Sequence, residues 1–212
     1  RPAVPSFRGA GQMEPLAPAL EAGLHDMARH ERVTLFMAWL APLCALLARL
    51  AGTPDVVLGT VVLGRDRWYL QDLIGFFVNT LVLRLDGAGD PDRAALLEQT
   101  REVVLGAFAH QALPFEKLVD ELGLPRDPYR PPLLRVLFQL LSFPPAASFP
   151  GLTLEPYRLP SEMSKFDLLI NAVEVNGRLW IEWRHDTDLF DAETIARWAG
   201  SLEVLLGAWL ED

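Results

Sequence analysis

The chain has 212 residues, half of them hydrophobic and 22% charged, with a formal charge of −9, a sequence pI near 4.9 and a mean hydropathy of +0.18. This is too apolar for a disordered chain and long enough for a full core. The acidic balance, with no Lys/Arg cluster, argues against nucleic-acid backbones and anionic lipid as partners. The single cysteine, Cys44, excludes an internal disulfide or a cysteine-based zinc site; in its apolar run it reads as a core thiol, and the usage fits a reducing, cytoplasmic setting. The sequence opens Arg1-Pro2-Ala3 and reads as a piece of a longer polypeptide.

Ser6–Gln12 is expected to form a short strand, and 16–29 a helix with Leu16, Leu20, Leu24 and Met27 on one face. Thr34 is placed to cap the next helix. That helix runs through the apolar stretch Val33–Ala51 and stops at Gly52-Thr53-Pro54-Asp55. Arg49, Pro42 and the polar His30-Glu31-Arg32 favour a buried helix over a membrane span. Strands follow at Val56–Leu63 and Phe76–Leu85, bracketing the polar loop Gly64-Arg65-Asp66-Arg67-Trp68-Tyr69. Asp90-Pro91 opens a helix striped by Leu96, Leu97, Thr100, Val103, Val104, Ala107 and Phe108, and a short helix after Pro114 ends near Gly123.

Leu133–Leu141 reads as a strand followed by a Pro-rich loop, Phe143–Pro150. Phe166–Val175 and Arg178–Arg184 flank Asn176-Gly177, a two-residue hairpin signal, and Asp191 caps a last helix bearing Ile195, Trp198, Leu202, Leu205, Leu206 and Trp209. The expected class is α/β (α+β), a mixed β-sheet covered by helices, in a single unit spanning 1–212.

Direct searches for chemistry fail. Gly59 to Gly64 has the glycine spacing of a phosphate loop, but Arg65-Asp66 stands where Lys-Ser/Thr is needed. Asp186, Asp188 and Asp191 lack the glycine and terminal glutamate of a calcium loop. His25, His30, His110 and His185 have no metal-ligand spacing, and no metal site is expected.

Three ordered stretches go further. Ile74-Gly75-Phe76-Phe77-Val78-Asn79-Thr80-Leu81-Val82-Leu83-Arg84 is similar to the IGxFVNTxxxR motif of nonribosomal peptide synthetase condensation domains. His110-Gln111-Ala112-Leu113-Pro114-Phe115-Glu116 resembles their HQDxPFE motif, and Arg126-Asp127-Pro128-Tyr129-Arg130-Pro131-Pro132-Leu133 their RDxSRNPLFQV motif. Val57 to Arg65 resembles VxGTPVxGR, Ser164-Lys165-Phe166-Asp167-Leu168 KFDL, and Asp186-Thr187-Asp188-Leu189-Phe190-Asp191 NTDLFD. Departures are Val61, Ala112, Tyr129, Pro131 and Leu134-Arg135. The family's HHxxxDG motif has no counterpart, for the chain holds no His-His pair.

The resemblance implies one lobe, the C-terminal one, of a chloramphenicol acetyltransferase-like two-lobe fold, with the N-terminal catalytic lobe absent. It implies amide-bond formation between aminoacyl or peptidyl thioesters held on phosphopantetheine arms. Partners would be the other lobe, donor and acceptor carrier proteins and an adjacent adenylation domain, with no nucleic acid, no membrane and no directly bound cofactor.

No catalytic residue is expected in this chain, and the fragment alone is expected to be inactive. Gly59, Thr60, Gly64, Arg65, Asn79 and Thr80 would support the channel and its floor loop. Arg65 would pair with the aspartate of HHxxxDG across the lobes, or else be a solvated loop arginine. Asn79 and Thr80 would face the channel or bond to neighbouring backbone. Gly75, Arg84, His110, Gln111, Pro114, Phe115, Glu116, Arg126, Asp127 and Arg130 would act structurally, and Ser164 and Lys165 would belong to a latch crossing between lobes. Two further readings are a condensation-like domain without catalysis that recruits partner proteins, and a CoA-dependent acyltransferase of the same fold.

Overall fold

The computed structural model describes residues 4–124, 132–142, 151–152, 162–175 and 177–211. Six strands and five helices follow in the order β1 (Gly9–Pro15), α1 (Pro18–His30), α2 (Leu35–Ala51), β2 (Asp55–Val62), β3 (Asn79–Asp86), α3 (Arg93–Ala109), α4 (Phe115–Glu121), β4 (Val136–Ser142), β5 (Leu168–Val175), β6 (Arg178–Asp186) and α5 (Ala192–Glu211). The strands form one mixed sheet, ordered β1-β6-β5-β4-β2-β3. The β2–β4 and β4–β5 pairs are parallel and the others antiparallel.

Alternation along the strands divides the sheet into two faces. Val56, Leu58, Leu83, Leu85, Phe138, Ile170, Ile181 and Trp183 point to one face and join the core with α1, α2, α3 and α5. Helix α2 is that core's centre: ten of its seventeen residues, Cys44 among them, are buried. Its apolarity all round is what a helix enclosed by a sheet and three other helices requires. No single helix among the described residues is long and apolar enough to cross a membrane; α1 and α2 are long enough only together, and they bend by 110°.

Local signals set most ends. The Thr34 hydroxyl accepts from Met37 N–H, and Gly52 closes α2 in the left-handed region at φ 66°. Asp191 accepts from Thr194 N–H at 2.6 Å to cap α5. Other boundaries move. Helix α1 begins at Pro18, with Leu16 buried just ahead of it, and α3 is capped by Asp92, whose carboxylate accepts from Ala95 N–H. Strand β1 lies at 9–15 rather than 6–12, because 6–9 is bonded elsewhere, to 162–164 and Asp188. Strand β3 starts at Asn79 rather than Phe76, and Phe76 is exposed.

The β5–β6 hairpin forms as expected, with Gly177 at φ 71°, though Asn176 lies outside the described residues. So do Arg126, Asp127, Arg130, the loop 143–150 and residues 160–161 of the expected latch segment, 160–166.

Candidate functional site

The second face of the sheet, uncovered by α1, α2, α3 and α5, forms the wall of a cavity of about 720 Å³. Val61, Thr80, Leu137, Gln139, Leu169, Asn171, Glu182 and Arg184 reach it from five strands, and Met163 to Phe166 close one side. The wall is largely apolar with a polar row set into it. Gln139 pairs in register with Asn171, and Asn171 with Glu182, so the three stand in line across β4, β5 and β6. Asn171 Nδ2 donates to Glu182 Oε2 at 2.8 Å, and Arg184 Nη1 donates to Glu182 Oε1 at 3.4 Å. Sequence reasoning missed this row, because it depends on strand register and not on any local motif.

Of the expected wall residues, Gly59 sits where β2 passes β4. A Cβ there would meet Leu134 and Leu137 methyls at 2.7 and 2.8 Å, so any larger residue would push those two side chains aside. Thr80 lines the cavity. Thr60 does not: one step along β2 from Gly59 and Val61, it is buried on the helix-covered face, at 3% exposure. Thr60 is therefore removed from the channel set.

The loop between β2 and β3 is organised by Arg65. Its Nη1 donates to the carbonyls of Leu70, Gln71 and Leu73, its Nη2 to that of Gly75, and its guanidinium lies 4.7 Å over the Phe77 ring. One planar fork thus holds most of the loop's turning backbone. Gly64 is required at φ 63°, since a Cβ would come within 2.0 Å of the Phe77 carbonyl oxygen. With its carbonyls turned inward, the loop presents Leu63, Trp68, Tyr69, Leu73, Ile74 and Phe76 to solvent, all at least half exposed. So many exposed large apolar side chains on one loop are unusual for a solvated surface.

Asn79 joins the loop to the following motif. Its Nδ2 donates to the carbonyls of Gln111 and Leu113 at 2.9 and 2.8 Å, while its Oδ1 accepts from Thr80 N–H and Phe115 N–H. Pro114 caps α4, Glu116 is exposed in that helix's first turn, and His110 Nδ1 lies 2.8 Å from Gly106 O at the end of α3. Arg84 sits at the far end of β3 in a bidentate pair with Asp55, 2.8 and 2.9 Å, which lowers the carboxyl's pKa. A smaller cavity of about 300 Å³ lies between the loop and this motif, lined by Gly64, Asp66, Phe76, Asn79, Gln111 and Glu116 among others.

Ser164 is buried, its N–H donating to Phe7 O and its hydroxyl to Phe166 O, whereas Lys165 is exposed on the cavity side. The acidic stretch 186–191 is taken up by structure. Asp188 accepts from Ser6 N–H and from Arg8, which lowers its pKa; Asp191 is lowered by the cap bonds from Thr194. His185 is buried at 3% exposure, and burial lowers its pKa. Among the described residues no group of three or more His, Cys, Asp or Glu side chains could hold a metal ion.

Helices cover one face of the mixed sheet and leave a polar-striped wall open on the other, an α/β architecture. Comparison with known proteins places it: the Condensation domain model matches residues 1–212, and the chain belongs to that family. It is 44% identical over 211 residues to one of the linear gramicidin synthase polypeptides of Brevibacillus parabrevis, covering 98% of this chain and 3% of that protein. It is 38% identical over 213 residues to chondramide synthase cmdD of Chondromyces crocatus, covering 100% of this chain and 5% of the other.

Among solved structures, the X-domain from teicoplanin biosynthesis matches with a TM-score of 0.90 at 27% identity, over all of this chain and 49% of that one. A four-domain nonribosomal peptide synthetase matches at 0.88 and 22% identity, a likeness of fold, over 17% of its chain. The present chain thus spans only a few per cent of the curated relatives and about half of the solved X-domain.

Proposed function

We propose that this chain is one lobe of a two-lobe condensation domain, and that the complete domain joins two carrier-tethered aminoacyl or peptidyl thioesters through an amide bond. The observation that carries the reading is the uncovered wall, with its cavity of about 720 Å³, bordered by a loop whose apolar side chains face outward. A second lobe of about equal size would close the wall into a channel and cover that loop. The solved X-domain chain, of which this chain spans 49%, has room for such a lobe.

In the reaction the acceptor amine attacks the donor thioester carbonyl; the N–C bond forms, the C–S bond breaks, and the proton lost from nitrogen goes to the departing thiolate. The wall's contribution is to hold two tethered reactants in one narrow space, which raises their effective concentration. In this reading the proton-handling step falls to the other lobe. Phosphopantetheine arms belong to the carrier proteins, and an adjacent adenylation domain supplies the activated amino acid.

Arg65 is the cross-lobe anchor in this reading. Its Nη atoms hold the loop, while Nε has no partner among the described residues and offers an edge to a carboxylate of the other lobe. Ser164 and Lys165 form the root of the latch, the serine fixed to segment 7–9 and the lysine free to face the channel. The test is an amide-formation assay on the complete domain with loaded carriers, wild type against Arg65→Ala.

A recruiting role is the second reading, favoured by the likeness to the X-domain, one structure of which is a complex with OxyB at 29% identity and a TM-score of 0.88. The higher identity to the peptide synthases supports condensation instead. Amide formation by the complete domain separates the two.

A further inference from the structure

Asn171 is 7% exposed, and its Oδ1 has no hydrogen-bond partner. A carboxylate only accepts, so the bond to Glu182 fixes the Asn171 amide with its NH₂ toward Glu182 and its oxygen the other way. An unpartnered buried acceptor is costly, and natural structures keep few. Its neighbour in register on the side away from Glu182 is Gln139, half-buried, lining the cavity and making no side-chain hydrogen bond among the described residues. The row therefore has a direction. Glu182 orients Asn171, and a turn of the neighbouring Gln139 side chain would bring its N–H to the unpartnered Asn171 Oδ1 and leave Gln139 Oε1 as an acceptor at the cavity end. Chains of this kind reinforce each bond along them.

We propose that Gln139, oriented through Asn171 by Glu182, is a specificity-determining residue that accepts a hydrogen bond from a secondary amide of the substrate lying in the channel. This rests on the condensation reading above. An amide suits the site better than an ammonium group, because among the described lining residues Lys165 and Arg184 outweigh Glu182 in charge. Two sources carry such an amide, the backbone of a peptidyl group and the pantetheine arm itself.

The test uses the complete domain and replaces one amide by an ester, first in a peptidyl donor and then, separately, in the pantetheine arm. Wild type should lose about tenfold in kcat/KM for one of the two replacements, the size of one well-placed hydrogen bond. Gln139→Met, which keeps length and bulk, should lose less than about twofold for the same replacement. Glu182→Gln, which lets the row turn around, should also blunt the preference. The arm that responds identifies the source. Equal ratios in wild type and Gln139→Met, or no ester effect in wild type on either arm, would overturn the proposal.

Binding of the same amide and ester compounds by calorimetry, read without turnover, separates this proposal from the reading it rests on. A preference that Gln139→Met abolishes in a domain forming no amide would sink condensation and keep the amide site. Turnover without the preference would do the reverse.

Discussion

Asn79 Oδ1 accepts a hydrogen bond from the backbone N–H of Phe115 at 3.1 Å, across 36 residues of sequence. Through that bond and two others the first residue of β3 holds the turn ahead of α4, so two of the chain's recognisable motifs are halves of one bracket. Asn79→Ala should leave two carbonyls and two N–H groups short of partners and lower unfolding free energy by about 2–4 kcal/mol. Urea denaturation of wild type and variant measures it. Asn79→Asp should not rescue, since a carboxylate cannot donate to Gln111 and Leu113.

Arg65 should govern the loop and leave the core intact. Arg65→Ala is expected to shift global stability by less than about 1 kcal/mol while exposing the backbone of residues 64–77. Limited trypsin digestion after exposed Arg67 should then run faster than in wild type. Arg65→Lys should not restore protection, because an ammonium lacks the planar fork that reaches four carbonyls.

Cys44 has its thiol pushed far above the ordinary range by burial in α2. A disulfide reagent should leave it unmodified in the folded chain and react fully in denaturant. Rapid modification under native conditions would mean that α2 does not sit at the centre of the core.

His185 gives a pH signature of known sign. Its ordinary value of 6.5 falls on folding because burial disfavours the imidazolium. Below about 6.5 the unfolded chain then binds more protons than the folded one, so stability drops as pH falls toward the folded value and levels beneath it. The lowered carboxyls of Asp188 and Asp191 act in a more acidic window, holding their contribution above the ordinary carboxylate range and losing it as pH falls through their folded values. Unfolding midpoints from pH 5 to pH 8, wild type against His185→Gln, should show the first slope flattened in the variant.

Local chemistry in the sequence was readable where a residue acts on its neighbours. Thr34 and Asp191 cap the helices they precede, and the apolar run into Ala51 is buried as its composition demands. Phe76 to Val78 read as strand because aromatic and β-branched residues favour one. The backbone just ahead is instead bonded to Arg65, so the ladder begins only at Asn79. Thr60 was legible in principle, since alternation from Gly59 puts it on the far face. The Gln139–Asn171–Glu182 row was not, for its members come from three strands and meet only through register. The ordered motifs revealed the family, and the contacts that Arg65, Asn79 and Arg84 make became visible only in the structure.

The central claim is that this chain supplies a wall and anchors while the other lobe supplies the proton-handling chemistry. Amide formation between two loaded carrier proteins, followed for the 212-residue chain alone and for the complete domain, tests it most directly. The complete domain should form the amide and the chain alone should not rise above the uncatalysed background. Turnover by the chain alone would contradict the claim.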